Sequence, residues 1–332
     1  MGPAAARSGT RPARQDRARP AGVRVHLPSG SRGAAAGPGR AGHPAGSAEV
    51  SASGLPLDVE RRGAGPPIVL LHGFGASRFT YRFWADDLAR THSLHLIDLV
   101  GFGAAPPPRT RAGYGPLEQA EFVLRYLRDH DLIGATLVGH SLGGGVALLV
   151  ALRLCELGEQ HRIAALVSVA GPAYAQAIPR YIGLARIPLI GAAMLRLIPT
   201  DRLVRQVLRY IVYDPDSIDA AQVEGYAAPL RTRRTRRAVV ETARKIVPDN
   251  LDELAERFGE VRTPTLLLWG RHDHVIPLWV GQRLARDLPR ARLVVLERCG
   301  HVPSEECPDE SLAVVRSFLA EVDAGEPDAL SR

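Results

Sequence analysis

Residues 135–154, ATLVGHSLGGGVALLVALRL, hold the decisive signal in this chain. The run ATLV is aliphatic and short, as expected of a strand buried on both faces. From Leu142 onward the pattern reads as a helix. Between the two, Gly139-His140-Ser141-Leu142-Gly143 must turn from strand to helix, and a glycine on each side of the tight bend avoids clashes there. Such a turn lifts the Ser141 hydroxyl clear of the backbone. Its place at a helix start sets positive backbone dipole beneath any charge that develops on attack. A GxSxG alone is weak in a chain with 33 glycines, so the flanking strand and helix carry the weight. Together they point to Ser141 as a nucleophile.

Working outward, comparable aliphatic runs occur at 68–73, 93–99, 164–171, 264–270 and 292–297. Helix-length segments, such as 117–130 and 142–157, separate several of them. Continuous aliphatic strands alternating with helices predict an α/β fold: a mostly parallel sheet covered by helices. About ninety residues part the strand at 164–171 from the one at 264–270, too many for a single crossover helix. Helical patterns at 187–197, 203–212 and 231–246 fill this interval, which predicts a helical cap over the strand ends, inserted late in the sheet order. The expected organisation is a disordered tail at 1–48, a core at 49–171 and 251–325, and a cap insert at 172–250.

Charge narrows the partners. The 332 residues carry a formal net charge of +7, but residues 1–48 hold eight arginines and one acid, Asp16, which accounts for all of it. The remainder is neutral overall, so a nucleic-acid-binding fold is not indicated. The interval 172–250 is locally positive, with RTRRTRR at 231–237 its densest run. That run fits either a solvated helix face or attraction to anionic substrates or a membrane surface. Residues 182–199 are apolar but broken by Arg186, Arg196 and two prolines, a poor membrane span. Cys155, Cys299 and Cys307 are too few and too irregular for a disulfide framework, which favours a reducing, cytoplasmic setting.

A serine hydroxyl needs a base, and the base needs an acid to orient it. Asp273, in WGRHDH just after the run PTLLLWG, is the best acid; the loop GPAYAQ after the preceding strand has no carboxylate. Glu305 and Glu306 sit too close in sequence to the histidine to be first choice. His301, in CGHVP after the last predicted strand, is the best base among eleven histidines. His272, Asp273 and His274 also invite a metal reading, but consecutive residues in a tight turn rarely converge on one ion. His72-Gly73-Phe74-Gly75-Ala76 follows the first long strand, so the backbone N–H groups of Phe74 and Leu142 are the expected oxyanion donors. His72 is expected to pack and hydrogen-bond within that loop. Phe74, His140 and Trp269 are the expected substrate contacts.

At these residues the chain resembles the α/β hydrolase superfamily, in its capped serine-esterase-like branch. HGFG, DLVGFG, GHSLGG, WGRHD and CGHVP resemble that family's successive loops, from about Glu49 to the C-terminal helix. The resemblance implies Ser141 as nucleophile, Asp273 as acid, His301 as base, and Phe74 and Leu142 as oxyanion donors. It implies a structural turn at Asp98, with Ala105 where family members often carry serine. Aspartate-nucleophile branches are disfavoured by Ser141. The expected activity is cleavage of a carboxylic ester or related acyl bond in a small, apolar acyl substrate, without cofactor or metal. Perhydrolysis or cofactor-free oxygenation, carbon–carbon bond hydrolysis, or ligand binding without turnover are the alternatives. Neither membrane association nor oligomeric state is indicated by the sequence.

Overall fold

The aliphatic runs form strands because Val, Leu and Ile dominate them, and each is closed by a glycine, an aspartate or a turn. In the computed structural model, which describes residues 49–50 and 54–325, eight strands make one sheet. They are β1 (Glu49–Val50), β2 (Asp58–Arg62), β3 (Pro67–Leu71), β4 (Ser93–Asp98), β5 (Ala135–His140), β6 (Ile163–Val169), β7 (Thr265–Gly270) and β8 (Ala291–Leu296). Their order is β1-β2-β4-β3-β5-β6-β7-β8. From β4 to β8 all neighbours are parallel; β1 and β2 run antiparallel at one end. The strand β2, DVERR, was not foreseen because four of its five residues are charged: Arg62 pairs with Glu60 and Asp86 instead of packing. The expected tail, 1–48, lies outside the described residues.

Helices cover both faces. Before the insert come α1 (Ala85–Leu88), α2 (Pro116–Asp129) and α3 (Leu142–Leu157). Helix α3 is apolar on nearly every side and correspondingly buried, between the sheet and α2. Between β6 and β7 lie α4 (Arg180–Arg186), α5 (Pro188–Leu197), α6 (Thr200–Ile211), α7 (Ala220–Leu230), α8 (Arg233–Lys245) and α9 (Leu251–Glu256). The three helical patterns of the sequence match α5, α6 and α8. Helix α7 was missed because Gly225 and Pro229 break its pattern; Gly225 lets the ring of Phe79 lie against the helix backbone. After β7 the described residues form α10 (Leu278–Asp287), α11 (Pro303–Glu306) and α12 (Pro308–Asp323). Among the described residues no helix is long and apolar enough to cross a membrane.

Because β3, β5, β6, β7 and β8 are parallel, the loops that follow them all emerge at one edge of the sheet. That edge carries the HGFG loop, Ser141, Asp273 and His301. Backbone packs closely there at Gly143, where an added Cβ would collide with the Leu71 carbonyl oxygen. Backbone cannot swing aside as a side chain can. Gly143→Ala is therefore expected to destabilise the fold by about 3 kcal/mol, a fall of roughly 5 °C or more in melting temperature; a melting curve matching the parent's would contradict this packing.

Candidate active site

Ser141 caps the N-terminus of α3 at φ 50°, ψ −120°, a backbone conformation that L-residues rarely adopt. Two sets of hydrogen bonds hold it there. Its N–H donates to the Val169 carbonyl on β6 (2.8 Å), and its own carbonyl accepts from Gly144 (2.8 Å) and Gly145 (3.1 Å). The strain is thus balanced by the neighbouring strand and by the first turn of the helix. Leu142 is the first residue of α3, so its N–H has no acceptor within the helix.

Asp273 and His301, 28 positions apart, meet: His301 Nδ1 donates to Asp273 Oδ2 at 2.8 Å. A carboxylate can only accept, so the Nδ1 proton is assigned by its partner, and Nε2 is left with a free lone pair. The other carboxylate oxygen, Oδ1, accepts from the backbone N–H groups of Val275 (2.8 Å) and Ile276 (2.9 Å). Both side chains are almost wholly buried. The flanking His272 and His274 turn instead toward the insert, their rings beside Tyr213 and Tyr210. Among the described residues no group of three or more His, Cys, Asp and Glu side chains could hold a metal ion.

The backbone around His301 is anchored by a residue to which the sequence assigned no such part. Glu306 Oε2 accepts from Gly300 N (2.9 Å) and Tyr213 N (2.6 Å), and Oε1 accepts from Val302 N (2.8 Å). The N–H of His301 itself donates to the Ile211 carbonyl, the last residue of α6 (2.8 Å). Gly300 is required here: a Cβ would meet Ile211 O at 2.5 Å and Tyr213 N at 2.8 Å. The insert and the histidine loop therefore share one hydrogen-bonded clasp. Burial raises the Glu306 carboxyl above its ordinary range, against the pull of the three amides. Neighbouring Glu305 reaches the opposite way, to Arg82 (2.8 Å), and burial pushes its carboxyl up to about 7. A glutamate five residues after the histidine, between Pro303 and Pro308, is the signal that marks this clasp in the sequence.

The other expected site residues divide. His72 accepts from Leu99 N at Nε2 (3.0 Å) and donates from Nδ1 to Gly73 O (2.8 Å); burial lowers its pKa. It is a neutral strut of the loop, as expected. Asp98 holds its turn by accepting from Arg78 N (2.7 Å) and Ala104 N (2.8 Å), while Ala105 closes it by backbone to Phe102 (2.9 Å). His140 lines the cavity and donates from Nε2 to the His301 carbonyl (2.8 Å). Burial pushes its pKa down to about 3, so this neighbour, with its ring 4.9 Å from that of His301, stays neutral. Phe74 and Leu142 also line the cavity. Trp269 is a correction, because it does not reach the cavity: the ring is fully buried against Gly281 and its N–H donates to Ile276 O (3.0 Å). It braces the Asp273 loop from the core side.

Ser141 and His301 open into a cavity of about 500 Å³. The sheet side contributes Phe74 and Leu142; the insert contributes Ile182, Met194, Leu195 and Leu208. Its walls are overwhelmingly apolar, and among the described residues Arg186 is the one lysine or arginine in them.

A strained serine between strand and helix, with a histidine–carboxylate pair on following loops of a parallel sheet, defines a class. A family profile described as alpha/beta hydrolase fold matches residues 66–308, well over half of the chain. The chain belongs to the α/β hydrolase fold family. It is 28% identical over 282 residues to a 2-hydroxymuconate semialdehyde hydrolase from Pseudomonas sp. (strain CF600), covering 83% of this chain and 94% of that one. It is 27% identical over 267 residues to the pimeloyl-[acyl-carrier protein] methyl ester esterase of Aeromonas salmonicida, covering 80% of this chain and 100% of that one. An α/β hydrolase fold protein from Burkholderia ambifaria superposes with a TM-score of 0.68 at 25% identity, over 79% of this chain and 93% of that one.

Glu306→Gln replaces one acceptor oxygen with a donor, so at least one of the three amides faces an N–H group. The expected cost is about 2 kcal/mol or more, read as a lower melting temperature, with faster hydrogen exchange at the Gly300, Val302 and Tyr213 amides. Unchanged exchange at all three would dissolve the clasp.

Proposed function

We propose that this hydrolase cleaves a carboxylic ester, or a closely related acyl bond, through an acyl-enzyme on Ser141. The supporting observation is the 2.8 Å contact between His301 Nδ1 and Asp273 Oδ2, with His301 and Ser141 lining one apolar cavity. In this reading Ser141 Oγ attacks the acyl carbon while His301 Nε2 takes its proton. Asp273 holds the ring in the required tautomer and stabilises the imidazolium. The oxyanion is received by the N–H of Leu142, at the positive end of α3, and by that of Phe74. His301 then returns the proton to the departing alcohol. Water, deprotonated by the same nitrogen, releases the acid and restores Ser141.

The insert acts as a cap in this proposal, closing the cavity with Ile182, Met194, Leu195 and Leu208. The relatives include a hydrolase named for a semialdehyde of a hydroxymuconate, which carries a carboxylate. A carboxylate bound beside Ser141 needs a cation or several N–H donors aimed at it, whereas the cavity walls are overwhelmingly apolar and Arg186, the cation among the described residues there, is exposed. An uncharged apolar acyl group fits better, which favours the ester over carbon–carbon cleavage.

Purified protein is expected to hydrolyse p-nitrophenyl esters, with Ser141→Ala lowering the rate by about 10⁴-fold or more. A fluorophosphonate probe is expected to label the parent at Ser141. Full activity in Ser141→Ala, or no labelling, removes the assignment. Asp273→Asn is expected to cost about 10³–10⁴ in kcat by leaving the wrong imidazole tautomer. From butanoyl to octanoyl esters kcat/KM is expected to rise about threefold per methylene; a preference for acetyl esters would refute the apolar acyl pocket.

A further inference from the structure

Helix α5, PLIGAAMLRL, has one charged residue in ten. Such a composition normally goes with burial on every side. Here it lies at the surface: Leu189 is 85% exposed and Leu197 76%. With Leu184, Ile187, Ile190 and Ile198 they make six of the fourteen exposed large hydrophobics among the described residues, all within residues 184–198. So dense a cluster marks a surface that is covered in use.

The charge around the cluster selects the cover. Arg180, Arg186, Arg196, Arg202, Arg205 and Arg209 stand on α4, α5 and α6, and every one is exposed. Among the described residues none of the six has a hydrogen bond or ion pair to a carboxylate. The lone acid of residues 180–210, Asp201, is tied to Arg231 at 2.6 Å. Three of the five arginines of the RTRRTRR run behave differently: Arg231 pairs with Glu224 and Asp201, Arg234 donates to Gly103 O, and Arg236 donates to Leu230 O. Among the described residues, six unpaired cations of the insert thus stand on its exposed apolar helix and on the helices just before and after it in sequence; Arg233 and Arg237 on α8 are likewise exposed without a carboxylate partner.

We propose that the α4–α5 face docks on an anionic phospholipid surface. Leu189 and Leu197 enter the acyl layer, and the surrounding guanidinium groups meet the lipid phosphates. A second copy of the chain fits less well, because twofold self-association sets the patch against itself and opposes six arginines to six. The inner sides of the same helices, at Ile182, Met194 and Leu195, wall the cavity that holds Ser141, and Arg186 belongs to both surfaces. One layer of helix, about 10 Å thick, then separates the lipid from that cavity. Docking rests on α4–α6 and not on the chemistry proposed for Ser141.

The test is co-sedimentation of the full chain with vesicles of phosphatidylcholine and phosphatidylglycerol, about three to one. The comparison is with Leu189→Ser/Leu197→Ser and with Arg186→Gln/Arg196→Gln, whose basic N-terminal segments are identical to the parent's. Parent protein is expected to bind, and Ser141→Ala to bind equally. The leucine pair is expected to weaken partition about tenfold or more, with circular dichroism and melting temperature unchanged. The arginine pair is expected to weaken it several-fold, and pure phosphatidylcholine to bind less than the mixture. Parent protein left in the supernatant overturns the proposal. So does undiminished binding by the leucine pair, which assigns the vesicle contact to the basic segment. A parent dimer that sedimentation velocity shows dissolved by the leucine pair, without loss of vesicle binding, assigns the patch to self-association.

Discussion

Ser141 stands at the end of β5 in a left-handed backbone conformation that, for a side chain with a Cβ, costs of order 1 kcal/mol or more. The cost is met by the bond from its N–H to Val169 and by the two amides of α3 that bond to its carbonyl. Neither set exists without the parallel pairing of β5 and β6 and the immediate start of α3. Gly143 then has to lie against the Leu71 carbonyl, which brings the loop after β3 to the same point. The position of one hydroxyl thereby dictates the order β3-β5-β6 and the side of the sheet on which every later loop must finish.

The histidine is held differently. Its ring is oriented by Asp273, but its backbone is fixed from the insert, through Ile211 O, and from Glu306, which also binds Tyr213 N. The end of α6 is therefore part of the apparatus that aims the imidazole. A movement of α6 away from the sheet breaks the His301 amide bond and exposes a buried carboxylate. Access to the cavity is more cheaply gained at α4 and α5, whose outer surfaces carry no such bonds. The insert has one end tied to the proposed base and another end free of it.

Much of this was legible because chemistry and topology coincide. Ser141, Asp273 and His301 each follow an aliphatic run, and a parallel sheet delivers whatever follows its strands to one edge. What failed to show was directional or relational. Trp269 precedes Asp273 by only four residues, yet side chains alternate along β7, and its ring packs into the core while Gly270 ends the strand. Strand β2 hides because its stability comes from cross-strand pairing and ion pairs, which leave no aliphatic run. Glu306 acts on backbone amides of a loop and of a distant helix, and no spacing rule names its partner in the insert.

Net charge illustrates the same limit. Outside residues 1–48 the formal charge is neutral, which sets aside a basic fold. The structure distinguishes engaged from unpaired arginines in the insert, which composition cannot do. Those at 231, 234 and 236 serve carboxylates and carbonyls inside the protein. Those on α4, α5 and α6 face outward with no carboxylate near enough to pair. A field at a surface depends on unpaired charge within about a Debye length, roughly 8–10 Å, and not on the sum over the chain. Three of the five arginines in the densest basic run are thus engaged within the protein, and the field at α5 draws on scattered single arginines of α4, α5 and α6.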